Sequence, residues 1–191
     1  MLFDFSTLDE TAKYKMMSNT IFPRPVAWIC TEDEEVLNLA PFSYFIPLSS
    51  EPPLVIVSIA HKENGEPKDT LANILKHKVC TINFAHKPLL DKLIDTAEAL
   101  PKTLSETEHL NIATKPLLEG FPPMVADAKC ALFCTFVKTI DLGARYEPLI
   151  LEVKQAYVDD ESVDENGHIM LDHIGRVGME FLIDATRVVR L

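Results

Sequence analysis

Residues 24–60 run as short apolar rows with a period of two, broken by a polar turn and by prolines, a pattern that demands β-structure there. Val26, Trp28 and Cys30 make one such row, and the apolar Val36, Leu39 and Phe42, at intervals of three, follow the polar Thr31-Glu-Asp-Glu-Glu35. Leu54-Val-Ile-Val-Ser-Ile-Ala60 has the β-branched density of a strand buried on both faces. The stretch reads as strand, tight turn, strand, proline-bounded loop and strand, a β-meander. Asn38, Ser43 and Ser58 lie between its apolar residues, and Arg24 stands at the entrance between Pro23 and Pro25. Both prolines restrict the neighbouring backbone, so the guanidinium is presented from a stiff chain. An arginine and hydroxyls at strand ends suit a flat, phosphorylated ligand.

Beyond this stretch, Thr7-Leu-Asp-Glu10 fits a capping box and predicts a helix to about Met17. Asn64-Gly65 and Pro67 mark a turn, Asp69 is the expected N-cap, and Leu71, Ile74 and Leu75 form the apolar stripe of a second helix. A strand follows, then a helix opening at Pro88 over the amphipathic residues 89–100. Residues 101–121 are polar and irregular, a connection long enough to cover one edge of a ligand site or to contact a second subunit. Two long strands, over residues 128–141 and 146–158, suit a barrel wall.

The chain carries a formal charge of −11, which argues against nonspecific binding to nucleic acid or to an anionic membrane. A small phosphate needs only local amides and one or two cations, and Arg24, Lys62 and Lys68 are the candidates. The N-terminal residues lack a basic region followed by an apolar run, and no apolar stretch reaches spanning length, so a cytoplasmic protein is expected. A length of 191 residues with 47% hydrophobic content allows one domain over residues 1–191. Cys30, Cys80, Cys130 and Cys134 form no CxxC pair, and Cys130 and Cys134 would lie about 13 Å apart along one strand, beyond disulfide reach. They read as buried small apolar residues, and the scattered histidines make no metal site. No GxGxxG, GxxxxGK, HExxH or GxSxG occurs, and Ser43 and Ser58 have no recognisable base. A bound cofactor that brings its own reactivity fits what is left.

Arg24-Pro25, Asn38-Leu-Ala-Pro-Phe-Ser43, Pro52-Pro53, and Lys68-Asp-Thr70 with Asn73 occur in the order found in the flavin reductase-like family of FMN-binding split barrels, which this chain resembles. The first half matches closely; the second half matches through the strand near Glu152 and through Arg176-Val-Gly178. Phe181 stands where the family more often carries an aromatic with a hydroxyl, and Tyr146 where it often carries histidine. The resemblance implies a mainly β, Greek-key FMN-binding split barrel with peripheral α-helices, working as a homodimer. It implies that Arg24 and Pro25 border the flavin, the guanidinium lying near the phosphate or ribityl chain. Asn38, Ala40, Pro41, Phe42 and Ser43 would line the ring, and Ser58, Lys68, Thr70 and Asn73 would hold the phosphate end. It also implies an oxidoreductase in which reduced nicotinamide, NADH or NADPH, passes hydride to flavin. The alternatives are an FMN-bearing electron carrier that serves a redox partner protein, or a flavin-free or haem-binding module on the same barrel.

Overall fold

The computed structural model describes residues 1–143 and 145–183. After helix α1 (Glu10–Thr20) come strands β1 (Arg24–Pro25), β2 (Ala27–Asp33), β3 (Val36–Phe42), β4 (Phe45–Ser50) and β5 (Pro53–Ala60). Helix α2 (Asp69–His77), strand β6 (Val79–Asn83), and helices α3 (Leu90–Asp95) and α4 (Glu106–His109) follow. The chain continues through β7 (Thr114–Lys115), β8 (Met124–Val125), β9 (Cys130–Thr139), β10 (Tyr146–Val158), β11 (Gly175–Val177) and β12 (Glu180–Leu182).

Seven strands form one antiparallel sheet in the order β3-β2-β6-β9-β10-β5-β4. Its two outermost strands, β3 and β4, are joined by Ser43 and Tyr44 alone. Three Cα steps span at most about 11 Å, so the sheet must curl until its edges nearly meet. No ladder bonds β3 to β4, and the result is a split barrel. Around its wall β2, β3, β4 and β5 follow in sequence, then α2 carries the chain back to set β6 beside β2. That return is a Greek-key connection.

Two cores flank β2. Ala27 and Ile29 point into the barrel with Val57, Ile59, Leu149 and Leu151, where α2 adds Leu71 and Ile74. Val26, Trp28 and Cys30 point outward to Leu39, Leu93 and Met124. Trp28 and Ile29 are both fully buried. The doubly buried strand is therefore β2, whereas β5 alternates buried and half-buried residues, because its even-numbered side chains face away from the barrel.

Other expectations need correction. The supposed loop before β5 is the edge strand β4, so residues 24–60 make two hairpins on opposite sheet edges and not one meander. Proline is compatible with β4 because that strand is an edge and its register shifts between Pro47 and Ser49. Asp9, not Thr7, caps α1, accepting from Ala12 N at 2.7 Å, and the helix reaches Thr20. Lys68 occupies the N-cap of α2, and Asp69 begins the helix and pairs with Lys62 at 3.0 Å. Residues 101–121 include α4 and β7. The tight turn after β2 is borne out: Glu34 and Glu35 both adopt positive φ, 51° and 66°, as a two-residue type I′ hairpin requires.

Arg24 pins the seam. Its Nη1 donates to Ser43 Oγ at 2.8 Å, its Nη2 to the carbonyls of Ser18 at 3.5 Å and Gly178 at 3.4 Å, and the guanidinium lies 5.4 Å from the Tyr44 ring centre. One side chain thus ties α1 and the β11–β12 turn to the two residues that close the barrel. Replacing it in Arg24→Met should cost about 1.5–3 kcal/mol, the range for hydrogen bonds from a charged donor. Urea unfolding checks this; an unchanged midpoint would show that the corner holds without it.

Candidate functional site

Beside the seam, a cleft of about 290 Å³ lies along β3, with Asn38, Ala40, Pro41 and Phe42 as its floor. One end is the start of α2, where Lys68, Thr70 and, from the preceding loop, Lys62 line it. The opposite wall is residues 96–100 together with Glu106. A second lobe of about 470 Å³ continues past Pro41 and Ala97, which line both, to Ser43, Leu93, Ile94 and Arg176. The groove therefore passes from a polar, cationic end across an apolar middle to an apolar lobe where Arg176 is the one guanidinium among the described residues.

The cationic end is built for an anion. Lys68 supplies no side-chain cap to α2, so the first-turn N–H groups face that end without a side-chain acceptor. Lys62 is tied to Asp69, while Lys68 makes no ion pair among the described residues. A polar network fixes the helix start against the sheet. Asn38 Nδ2 donates to Thr70 Oγ1 at 2.8 Å and to Thr31 Oγ1 at 3.3 Å, and Asn73 Nδ2 donates to Thr31 Oγ1 at 3.1 Å. Because Thr70 Oγ1 accepts from Asn38, its own proton is left to donate.

The wall is anchored from behind at three points. Trp28 Nε1 donates to Thr96 Oγ1 at 2.8 Å, and Lys102 Nζ meets Asp33 Oδ2 at 2.8 Å. Glu106 Oε2 accepts from Leu39 N at 2.9 Å, covering an amide of edge strand β3 that has no strand partner on that side. Burial pushes the Glu106 carboxyl above its usual range, against the lowering effect of that amide. Asp33, only 5% exposed at its side chain, also meets Lys76 at 2.5 Å and His77 at 2.8 Å. Hydrogen bonds from Lys102, then Lys76 and His77, hold its carboxyl well below the ordinary value.

The sequence-predicted residues divide in two. Asn38, Ala40, Pro41, Phe42, Lys68 and Thr70 line the first lobe, and Pro41 and Ser43 the second. Arg24, Pro25, Ser58 and Asn73 line neither. Arg24 stands behind Ser43; Pro25 pairs with Gly175; Asn73 is buried in the threonine network; Ser58 faces outward on β5, its N–H donating to Tyr44 O at 2.8 Å. The wall at residues 96–100 and Arg176 were not assigned to the site. The amphipathic run through Leu100 reads as one helix, but α3 stops at Asp95, and the Thr96 hydroxyl is taken by Trp28 and Leu93 O.

The family model described as flavin reductase like domain matches residues 17–178. A protein of Deinococcus radiodurans is 32% identical over 186 residues, covering 92% of this chain and 82% of its own. The crystal structure of nitrilotriacetate monooxygenase component B from Bacillus cereus superposes with a TM-score of 0.92 at 27% identity, over 100% of this chain and 98% of that one. That of 2-nitrobenzoate 2-nitroreductase from Pseudomonas fluorescens gives 0.90 at 24% identity, over 100% and 95%, and shares the fold.

The Asp33 anchor titrates in a defined direction. Its folded pKa lies below the ordinary 3.8, so its stabilisation is present above that value and is lost as pH falls beneath it. The difference in melting temperature between wild type and Asp33→Asn should be full at pH 7 and shrink steadily below pH 3.8. A difference that stays constant from neutral to acid would remove the clamp from the account.

Proposed function

This chain belongs to the flavin reductase-like family, and from that premise we propose that it holds FMN in the cleft as an oxidoreductase that accepts hydride from NADH or NADPH. The observation that carries this reading is the cleft itself: a helix start without a side-chain cap, beside Lys68 and Thr70, opens onto the flat apolar floor of Ala40 and Pro41. Those groups fit a flavin mononucleotide. The α2 amides, the Lys68 ammonium and the Thr70 hydroxyl would hold the phosphate, and residues 38–42 would lie along the ring. FMN, when bound, supplies hydride and electron transfer. The chain binds, orients and excludes water: Asn38 keeps Thr70 in place, and the wall at residues 96–100 closes one side of the floor. Arg24 and Asn73 act as positioning residues, one through Ser43 and one through Thr31.

A second reading, an electron carrier without its own reductase turnover, is favoured by the charge of −11, which would steer a basic redox partner and weaken with salt. We further take residues 1–191 as one domain that works as a homodimer. Phe3, Phe5, Ile21 and Phe22 near α1, and Ile46 and Leu48 on β4, are each at least 42% exposed, and these are costly to leave in water. These side chains would make a more apolar dimer contact than residues 101–121. Among the described residues no helix is long and apolar enough to cross a membrane.

Anaerobic NADH, then NADPH, added to the FMN-loaded protein should bleach the flavin absorption; bleaching by neither, with reduction by a protein donor, selects the carrier. In a fluorescence titration FMN should bind wild type more tightly than riboflavin, which lacks the phosphate. Lys68→Ala should lower FMN affinity roughly tenfold, the scale of one charge-assisted contact, and narrow that gap. Equal binding of the two flavins by wild type would move the phosphate away from α2.

A further inference from the structure

The second lobe holds a cation, Arg176, to which the proposed flavin cradle assigns no role. Arg24 and Arg176 are direct partners across the β1–β11 ladder, so two like charges stand opposite each other, an arrangement that destabilises a sheet unless compensated. In a chain of net charge −11, neither meets a carboxylate among the described residues. Both donate instead to one carbonyl, that of Gly178, at 3.4 and 3.3 Å. Arg176 lies 4.2 Å from the Phe181 ring centre, and burial, then the neighbouring Arg24, lowers its pKa. Its guanidinium is a partly desolvated cation with no counter-ion among the described residues, and Arg176 lines the lobe.

Ser43 supplies a second donor. Its Oγ accepts from Arg24 Nη1 at 2.8 Å, which leaves the hydroxyl proton to be donated elsewhere, and Ser43 lines the same lobe. The other walls are apolar, led by Val26, Leu93, Ile94 and Phe181. At about 470 Å³ the lobe exceeds the roughly 150 Å³ that suffices for benzene. We propose that this lobe is an anion-anchored subsite for a small organic acid with a flat apolar body, its carboxylate taken by Arg176 and Ser43 and its body by Leu93, Ile94 and Phe181.

The subsite deepens the proposed oxidoreductase by naming a substrate class, and in that sense rests on it, but its own test is separable. Benzoate and its uncharged analogue benzyl alcohol are titrated calorimetrically into the protein with and without FMN. Wild type should bind benzoate at least tenfold more tightly than benzyl alcohol. Arg176→Gln should lose that preference, Arg176→Lys should keep part of it, and FMN affinity by fluorescence should stay within twofold in both. If Arg176→Gln fails to fold by circular dichroism, a severalfold weakening of benzoate in Ser43→Ala carries the same test. Equal affinity for the two probes, no benzoate binding at millimolar concentration, or an undiminished preference in Arg176→Gln overturns the subsite. Competition of FMN with benzoate one for one also overturns it, because the anion locus would then be the flavin's own. A benzoate preference in protein that binds no FMN would sink the flavin reading and leave this inference standing.

Discussion

The Arg24 guanidinium sits where the two free edges of a seven-stranded sheet are forced together, and the rest of the molecule is arranged around that junction. A sheet whose outermost strands are joined by two residues has no choice but to curl, yet nothing in the ladder bonds those strands to each other. The open seam would be free to splay without a cross-brace. Arg24 reaches it from a separate three-stranded sheet and binds Ser43 by its hydroxyl and Tyr44 by its ring. Lysine could not make these contacts together, since only a planar fork donates in several fixed directions while stacking on an aromatic face.

The groove lies beside that junction because the seam leaves β3 as an edge. The floor at residues 38–42 stays open to a ligand, and the outward amide of Leu39 is covered by Glu106, supplied by a segment distant in sequence. β2 connects the two halves of this arrangement. Its inward face belongs to the barrel core and its outward face to the core under the wall, so Trp28, fully buried, can fix Thr96 from behind. A wall braced by a buried indole, an ion cluster at Asp33 and an amide-bound glutamate is held before any ligand arrives, which lowers the ordering cost of binding.

What the amino-acid sequence made legible was local. The β2 and β3 pair, the start of α2 with Lys68 and Thr70, and the long β9 and β10 follow from period-two patterning and turn chemistry over a few residues. The edge strand β4 was not legible: half its side chains face outward, it contains proline, and it is a strand only because β5 lies beside it. The wall failed for the same reason. Nothing in residues 96–100 marks them as non-helical, because the partners that stop the helix, Trp28 and Asp33, lie more than sixty positions away. Arg24 was found as a significant residue from its two prolines, but they could not say which side of Ser43 its guanidinium would take.

Charge placement joins these points. The chain is strongly acidic, yet around the groove three carboxylates are neutralised or turned to structural use, Asp69 by Lys62, Asp33 by two lysines and His77, and Glu106 by a main-chain amide, while Glu98 on the wall is exposed. The cations left there with no acidic partner among the described residues, Lys68 at one end and Arg176 at the other, stand about the full length of the groove apart, on opposite sides of Pro41 and Ala97. An acidic exterior most of whose carboxylates beside the groove are already partnered lets that groove attract small anions while the surface repels polyanions. Selectivity among the anions then falls to shape: a phosphate fits a helix start that offers several N–H groups, and a planar carboxylate fits the fork of a guanidinium backed by an aromatic ring.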